Sequence, residues 1–194
     1  MARPSLALGH KLLAAAAATF LALAAGAGAS AVLPRTATTT PTQDTYVANG
    51  DFECGLTPWV VQVPDTAANY TLAAPGHGSS TSFQVYFTPP TRSPQYGVSA
   101  RITSAPVRVI PNVPYRLTFW TYFDNQQAGF IGVQFNNLAR YTIDAGDHGW
   151  GGDFTLNTVD YTPANDTVTI KFEFLFNPVA SLDRIDSITF APVQ

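Results

Sequence analysis

From Asp44 to the end of the chain, apolar and polar positions alternate with a period of two. Thr81–Thr88 sets Phe83, Val85 and Phe87 against Gln84, Tyr86 and Thr88. Gly97–Thr103 sets Val98, Ala100 and Ile102 against Ser99, Arg101 and Thr103. In Tyr115–Asp124, Tyr115, Leu117, Phe119 and Phe123 share one phase, and Arg116, Thr118, Trp120, Tyr122 and Asp124 the other. Phe130–Asn136 opposes Ile131, Val133 and Phe135 to Gln134 and Asn136. Thr167–Asn177 opposes Val168, Ile170, Phe172, Phe174 and Phe176 to Thr169, Lys171, Glu173 and Asn177. Successive side chains of a strand point to opposite faces, so this pattern predicts half-buried strands. Shorter candidates lie at Trp59–Val63, Tyr70–Ala73, Val107–Ile110, Ala139–Ile143 and Ile185–Ala191. Turn-forming runs such as Pro111-Asn112-Val113-Pro114 and Pro163-Ala164-Asn165-Asp166 separate them. No stretch reads as a long helix. Roughly eight to ten short strands at this spacing predict an all-β fold of two antiparallel sheets packed as a sandwich.

The chain ahead of this domain has a different character. Arg3, His10 and Lys11 precede an Ala- and Leu-rich stretch at Leu12–Ala25, and small-residue sites follow up to Ala31. That order reads as a secretory signal peptide over residues 1–31, because the apolar stretch is short for a membrane anchor. Residues 32–43, rich in Thr and Pro, read as a linker open to O-glycosylation. The domain at 44–194 is of ordinary size and needs no disulfide to bury a core. The expected localisation is therefore secreted and extracellular.

Composition sharpens the picture in two ways. Charged residues make up 12% of the chain, against roughly 25% in an average soluble domain. Only two are Lys and two are Glu, the residues that usually build helix surfaces. The formal charge is −3, and two of the ten bases lie before residue 32 while all thirteen acids lie after it. An acidic domain of this kind excludes a basic nucleic-acid-binding face. The single cysteine, Cys54, excludes a disulfide framework, and its place beside Phe52 favours a buried thiol over an intermolecular bridge. In a eukaryotic secretory pathway Asn69-Tyr70-Thr71 and Asn165-Asp166-Thr167 are N-glycosylation sequons, which makes a glycoprotein the expected product.

Three segments carry a family resemblance. Asn49-Gly50-Asp51-Phe52-Glu53 followed by Thr57-Pro58-Trp59, the turn and strand from Val109 to Trp120, and Leu182-Asp183-Arg184-Ile185-Asp186-Ser187-Ile188 occur in order along the domain. Together they resemble CenC-type carbohydrate-binding modules, over about residues 45–192. The departures are Asn112 where a Gly usually precedes the tyrosine strand, and one acid at Asp186 where two adjacent acids are common. A short, Thr-linked domain is also similar to small secreted fungal proteins. The resemblance implies a jelly roll. It also implies a structural Ca²⁺ held by Glu53 and Asp186, with Asp51 as a weaker third; the bland alternative is that these acids cap turns or pair with Arg184.

Sugar binding calls for aromatic rings and hydrogen-bonding side chains on one surface. The outward strand phase supplies Trp120, Tyr122, Tyr86, Arg101, Gln134 and Glu173, with Gln84 and Lys171 beside them. The expectation is a concave platform built on the strands of Trp120 and Tyr122; the alternative is a Trp120 packed under a loop or a neighbouring sheet edge. Trp59 is assigned to the core and Trp150 to anchoring the glycine-rich loop 146–153, which is placed to border a site. Catalysis has little to stand on. His77 and His148 sit in no hydrolase or metal motif, and Glu173 with Asp124 forms an acid pair only if their strands are neighbours. The expected function is non-catalytic binding of a polysaccharide or glycan by stacking and hydrogen bonding, as a monomer, with no membrane span. The alternative is a structural or surface-interaction protein that keeps the sandwich without the sugar.

Overall fold

A computed structural model describes residues 47–89 and 97–194. The expected signal peptide at 1–31, the expected linker at 32–43 and the expected domain start at Asp44 lie outside the described residues. Twelve strands are described: β1 (Val60–Gln62), β2 (Ala68–Ala73), β3 (Ser82–Phe87), β4 (Ala100–Thr103), β5 (Val107–Arg108), β6 (Tyr115–Phe123), β7 (Gly129–Phe135), β8 (Leu138–Asp144), β9 (Thr155–Tyr161), β10 (Thr167–Val168), β11 (Ile170–Phe176) and β12 (Ser181–Pro192). The helix among them, α1 (Ala145–His148), is a single turn capped by the Asp144 side chain. One antiparallel sheet, the front-strand sheet, runs β1-β4-β11-β7-β8 with β11 at its centre. The other, the clefted sheet, runs β2-β3-β12-β6-β9 with β12 at its centre, and a small β10-β5 ladder completes the pairing.

The alternating phase decides which residues meet between the sheets. Phe119 on β6 contacts Phe172 on β11 with ring centroids 5.0 Å apart. Phe83 meets Phe174 at 5.8 Å, Phe87 meets Phe176 at 5.3 Å, and Phe135 meets Phe190 at 5.7 Å. Each of these pairs joins one sheet to the other, so the core is a ladder of inter-sheet aromatic contacts. A fully buried Phe contributes about 1.5–3 kcal/mol by area alone. Trp59 belongs to this core as expected, and its indole N–H donates to the carbonyls of Ala48 and Asn49.

Differences from the sequence reading have local causes. The stretch Thr167–Asn177 is two strands, because the Thr169 amide leaves the ladder and donates to Asn136 Oδ1 at 2.8 Å. β9 escapes the alternation rule, since Leu156 is 48% exposed while Asn157 points inward and is buried. Cys54 is exposed rather than buried; its turn sends Phe52 inward, with φ +56°, and leaves the thiol outside. The β7–β8 hairpin closes on Asn136 and Asn137 at φ +51° and +66°, where asparagine tolerates the left-handed conformation better than most residues.

Two irregularities of β12 shape the molecule around it. A bulge shifts its register between Asp186 and Thr189, with Ser187 at φ +50°. The Ile188 amide, freed by the bulge, donates to Gly50 O at 2.9 Å. A Cβ on Gly50 would stand 2.1 Å from Ile188 O, so only glycine admits this approach. Earlier in the strand, Asp183 points into the apolar core opposite Val85 and Phe123. It is fully buried and neither carboxylate oxygen has a hydrogen-bond partner. Burial pushes its carboxyl well above the usual range, and nearby Asp124 adds to the shift.

Candidate functional site

The six expected sugar-contacting residues do not share a face. Trp120, Tyr122 and Tyr86 stand on the outer side of the clefted sheet, whereas Arg101, Gln134 and Glu173 stand on the outer side of the other. Strand alternation separates inward from outward; it carries no information about which of two sheets a strand joins. On the front-strand sheet these side chains satisfy one another. Arg101 Nε donates to Glu173 Oε1 at 2.9 Å, and Gln134 Nε2 donates to Glu173 Oε2 at 2.6 Å. Lys171 Nζ reaches Gln134 Oε1 at 3.4 Å and Asn137 Oδ1 beyond it. The acid pair considered for catalysis is also separated, since Glu173 lies on β11 and Asp124 follows β6 in the opposite sheet.

The clefted sheet is built differently. On β6, Trp120 and Tyr122 point outward two residues apart, and antiparallel β12 sets Asp186 beside Trp120 and Arg184 beside Tyr122. β3 then places Gln84 next to Arg184. The segment Ala74–Thr81 folds back over this surface. His77 stacks on Trp120 with centroids 3.5 Å apart and planes 13° apart. Trp120 therefore packs under a loop, and one indole face is covered by the protein's own ring. Phe154 comes from the far side, 5.8 Å from Tyr122 and 6.1 Å from His77.

Between these walls lies a cleft of about 270 Å³, lined by Pro75, Tyr122, Gly152, Asp153, Phe154 and Arg184. Its size is just under the roughly 300 Å³ at which small-molecule pockets begin. Arg184 is the fixed point. Its Nε donates to Gln84 Oε1 at 2.9 Å, and Nη1 donates to Ala74 O at 3.1 Å and Pro75 O at 3.2 Å. The guanidinium lies 5.4 Å from the Tyr122 ring centroid, a cation–π distance. Sequence reasoning named Tyr122 and drew attention to the loop whose Gly152 and Asp153 line the cleft. It left Arg184 and Phe154 out of the site, although Arg184 holds the outward phase of the closing strand. Trp150, in the same loop, is 54% exposed. A shallower depression of about 470 Å³ between residues 47–51 and 187–189 has no aromatic lining.

The acids expected to hold Ca²⁺ bond the rim of the cleft. Glu53 accepts from the Ser80 hydroxyl and from the Thr81 amide at 2.6 Å. The Ser80 bond holds the Glu53 carboxyl below its ordinary pKa. Asp186 Oδ2 accepts from the His77 amide at 2.6 Å and Ser79 Oγ at 2.8 Å, and Oδ1 from the Ser187 amide at 2.7 Å. Burial pushes the Asp186 carboxyl up, and these donors pull it the other way. Asp51 Oδ1 accepts from the Glu53 amide at 3.4 Å. These carboxylates thus accept hydrogen bonds from the protein itself, and Ca²⁺, which takes six to eight oxygen ligands, would need further oxygens beside them. Among the described residues no group of three or more His, Cys, Asp or Glu is placed to hold a metal ion. The sequon residues Asn69 and Asn165 are both exposed, Asn69 beside Tyr86 on the clefted sheet.

Comparison with solved structures decides the fold. The chain is a jelly-roll sandwich. TmCBM61, solved in complex with β-1,4-galactotriose, superposes with a TM-score of 0.54 and 16% identity, over 77% of this chain and 99% of that one. The K3 cleaved adhesin domain of Lys-gingipain from Porphyromonas gingivalis gives 0.57 and 18%, over 75% and 96%. The CBM22-1–GH10 modules of Clostridium thermocellum xylanase 10B, complexed with xylohexaose, give 0.52 and 15%, over 78% of this chain and 29% of theirs. Carbohydrate-binding modules are thus among its structural neighbours. No family model and no curated protein matches the sequence. Among the described residues, no helix is long and apolar enough to cross a membrane.

Proposed function

We propose that the protein is a secreted, non-catalytic carbohydrate-binding module of CenC-like type that seats a sugar ring in the cleft of Tyr122, Phe154 and Arg184. The carrying observation is the cleft itself: two aromatic walls and an immobilised guanidinium, with Asp153 at the mouth. Aromatic rings take up the apolar face of a pyranose, and the charged groups bond its hydroxyls at fixed positions. The volume suits one ring, with neighbouring residues of a chain left in solvent. Two structural neighbours were solved with oligosaccharides, β-1,4-galactotriose and xylohexaose, and these are the first ligands to try. The carboxylate inventory of the cleft supports binding without cleavage. The cleft lining contains one acid, Asp153, and glycoside hydrolysis needs two across the scissile bond. Secretion rests on the basic start and the apolar stretch at Leu12–Ala25.

Isothermal titration of the purified chain against β-1,4-galacto-, xylo- and gluco-oligosaccharides tests the reading. Binding to at least one, with no reducing ends released on prolonged incubation, is the expected result. No binding across neutral and acidic glycans would favour a surface-interaction role for the same sandwich.

A further inference from the structure

Arg184 stands apart from the other described arginines in how its charge is met. Arg101, Arg108 and Arg116 each lie within 4 Å of a carboxylate: Glu173 at 2.9 Å, Asp166 at 3.5 Å and Asp160 at 2.7 Å. Arg140 has no such partner among the described residues but is exposed, where water solvates it. Arg184 is half-buried and has no carboxylate within that distance among the described residues. Its three acceptors, Gln84 Oε1 and the carbonyls of Ala74 and Pro75, are uncharged. They fix the plane of the guanidinium and leave its charge standing. Nη2 has no acceptor among the described residues. Withdrawing part of a cation from water without a counter-charge leaves a desolvation cost that neutral acceptors repay only in part.

We propose that the cleft selects an acidic sugar, a pyranose bearing a ring carboxylate, and that Arg184 reads the charge; this rests on the carbohydrate-binding reading above. A uronic acid answers each feature of the lining. Its carboxylate meets the free Nη2 edge of a weakly hydrated, planar guanidinium already locked in orientation. Its apolar ring face lies against Tyr122 and Phe154. Its hydroxyls donate to Asp153, which lines the mouth but is exposed and makes no ion pair with Arg184. A purely structural Arg184, clamping residues 74–75 to β12, would be indifferent to charge on the ligand.

Methyl esterification removes that charge while keeping the sugar, which gives the test. The purified chain is titrated with oligogalacturonate, its full methyl ester and β-1,4-galactotriose at low and high salt. The acid should bind at least tenfold more tightly than the ester, about one charge-assisted hydrogen bond, and the gap should narrow in high salt. In Arg184→Gln the acid and ester should bind within about twofold of one another, and Arg184→Lys should keep part of the preference. Circular dichroism confirms that each variant is folded; if Arg184→Gln unfolds, Arg184→Lys and the salt dependence of the wild type decide. Equal binding of acid and ester by the wild type overturns the acidic selectivity while the carbohydrate reading stands. A preference that survives Arg184→Gln overturns Arg184 as its reader. Failure to bind any of the three, or a wider neutral set, overturns both readings.

Discussion

The outer faces of the two sheets carry similar polar side chains and use them in opposite ways. On the front-strand sheet Arg101, Glu173, Gln134 and Lys171 form one hydrogen-bonded row, so each has its partner within the protein. On the clefted sheet Arg184 is held by neutral acceptors and keeps an edge free, between aromatic walls supplied by β6 and by the loop before β9. A ligand would have to break the first arrangement and could complete the second. An unspent group in a fixed position is therefore a better sign of a binding face than polarity or aromatic content, because partners already satisfied cost free energy to separate.

Five perturbations test that contrast, in decreasing order of effect. Trp120→Ala removes the ring beneath His77, and by analogy with large-to-small changes should cost about 3 kcal/mol in denaturant unfolding, with ligand affinity falling as the rim loosens. An unchanged midpoint would mean that the His77 stack supports nothing. Asp183→Asn tests the inner side of the same strand pair. Because the folded state raises the Asp183 pKa, it binds the proton more tightly than the unfolded chain does. Wild-type stability should then be highest below the ordinary carboxylate pKa and fall as pH rises toward the raised folded value. The variant should gain about 1–3 kcal/mol at neutral pH and almost nothing at pH 3, the scale of a buried unsatisfied polar group; a gain of equal size at both pH values would reject the titration.

Tyr122→Ala should weaken glycan binding about tenfold, near 1.4 kcal/mol, by removing one aromatic wall. Its counterpart on the other face, Glu173→Gln, should leave affinity within twofold and cost at most about 1 kcal/mol of stability, since Arg101 is 35% exposed. If the two variants exchange these effects, the front-strand sheet is the binding face. The smallest effect is expected from metal. Adding Ca²⁺ or a chelator should not shift the melting temperature, because Glu53 and Asp186 are engaged by N–H and O–H donors. A shift of several degrees would show that the donors give way to a cation.

Much of the fold was legible because most strands obey one rule strictly. Phe83, Phe119, Phe172 and Phe174 fall on the inward phase and meet between the sheets. β9 was not legible, because Asn157 takes an inward position and bonds Thr121 Oγ1 at 2.9 Å, which inverts the polarity pattern. The candidate site was legible only in part. Tyr122 could be read from its phase. The company it keeps could not, since Phe154 and Pro75 arrive from loops and the neighbours of β6 are set by strand order, a long-range property. Asp183 gave no warning for a related reason: an acid on an inward phase looks like a turn residue until the strand around it is seen to continue.

The rim of the cleft is tied down at both ends of the domain's sequence. Ala74 and Pro75 hold Arg184, while a few residues later Ser80 and Thr81 hold Glu53, in the turn beside the exposed Cys54. Occupancy of the proposed cleft and closure of that turn therefore act on one segment, and any coupling between them would be equal in both directions. Protonating Glu53 in acid would slacken the rim and release ligand without touching a contact residue. A fluorophore on Cys54 would sense binding at a distance. The opening turn of the domain is, in this sense, a handle on the cleft.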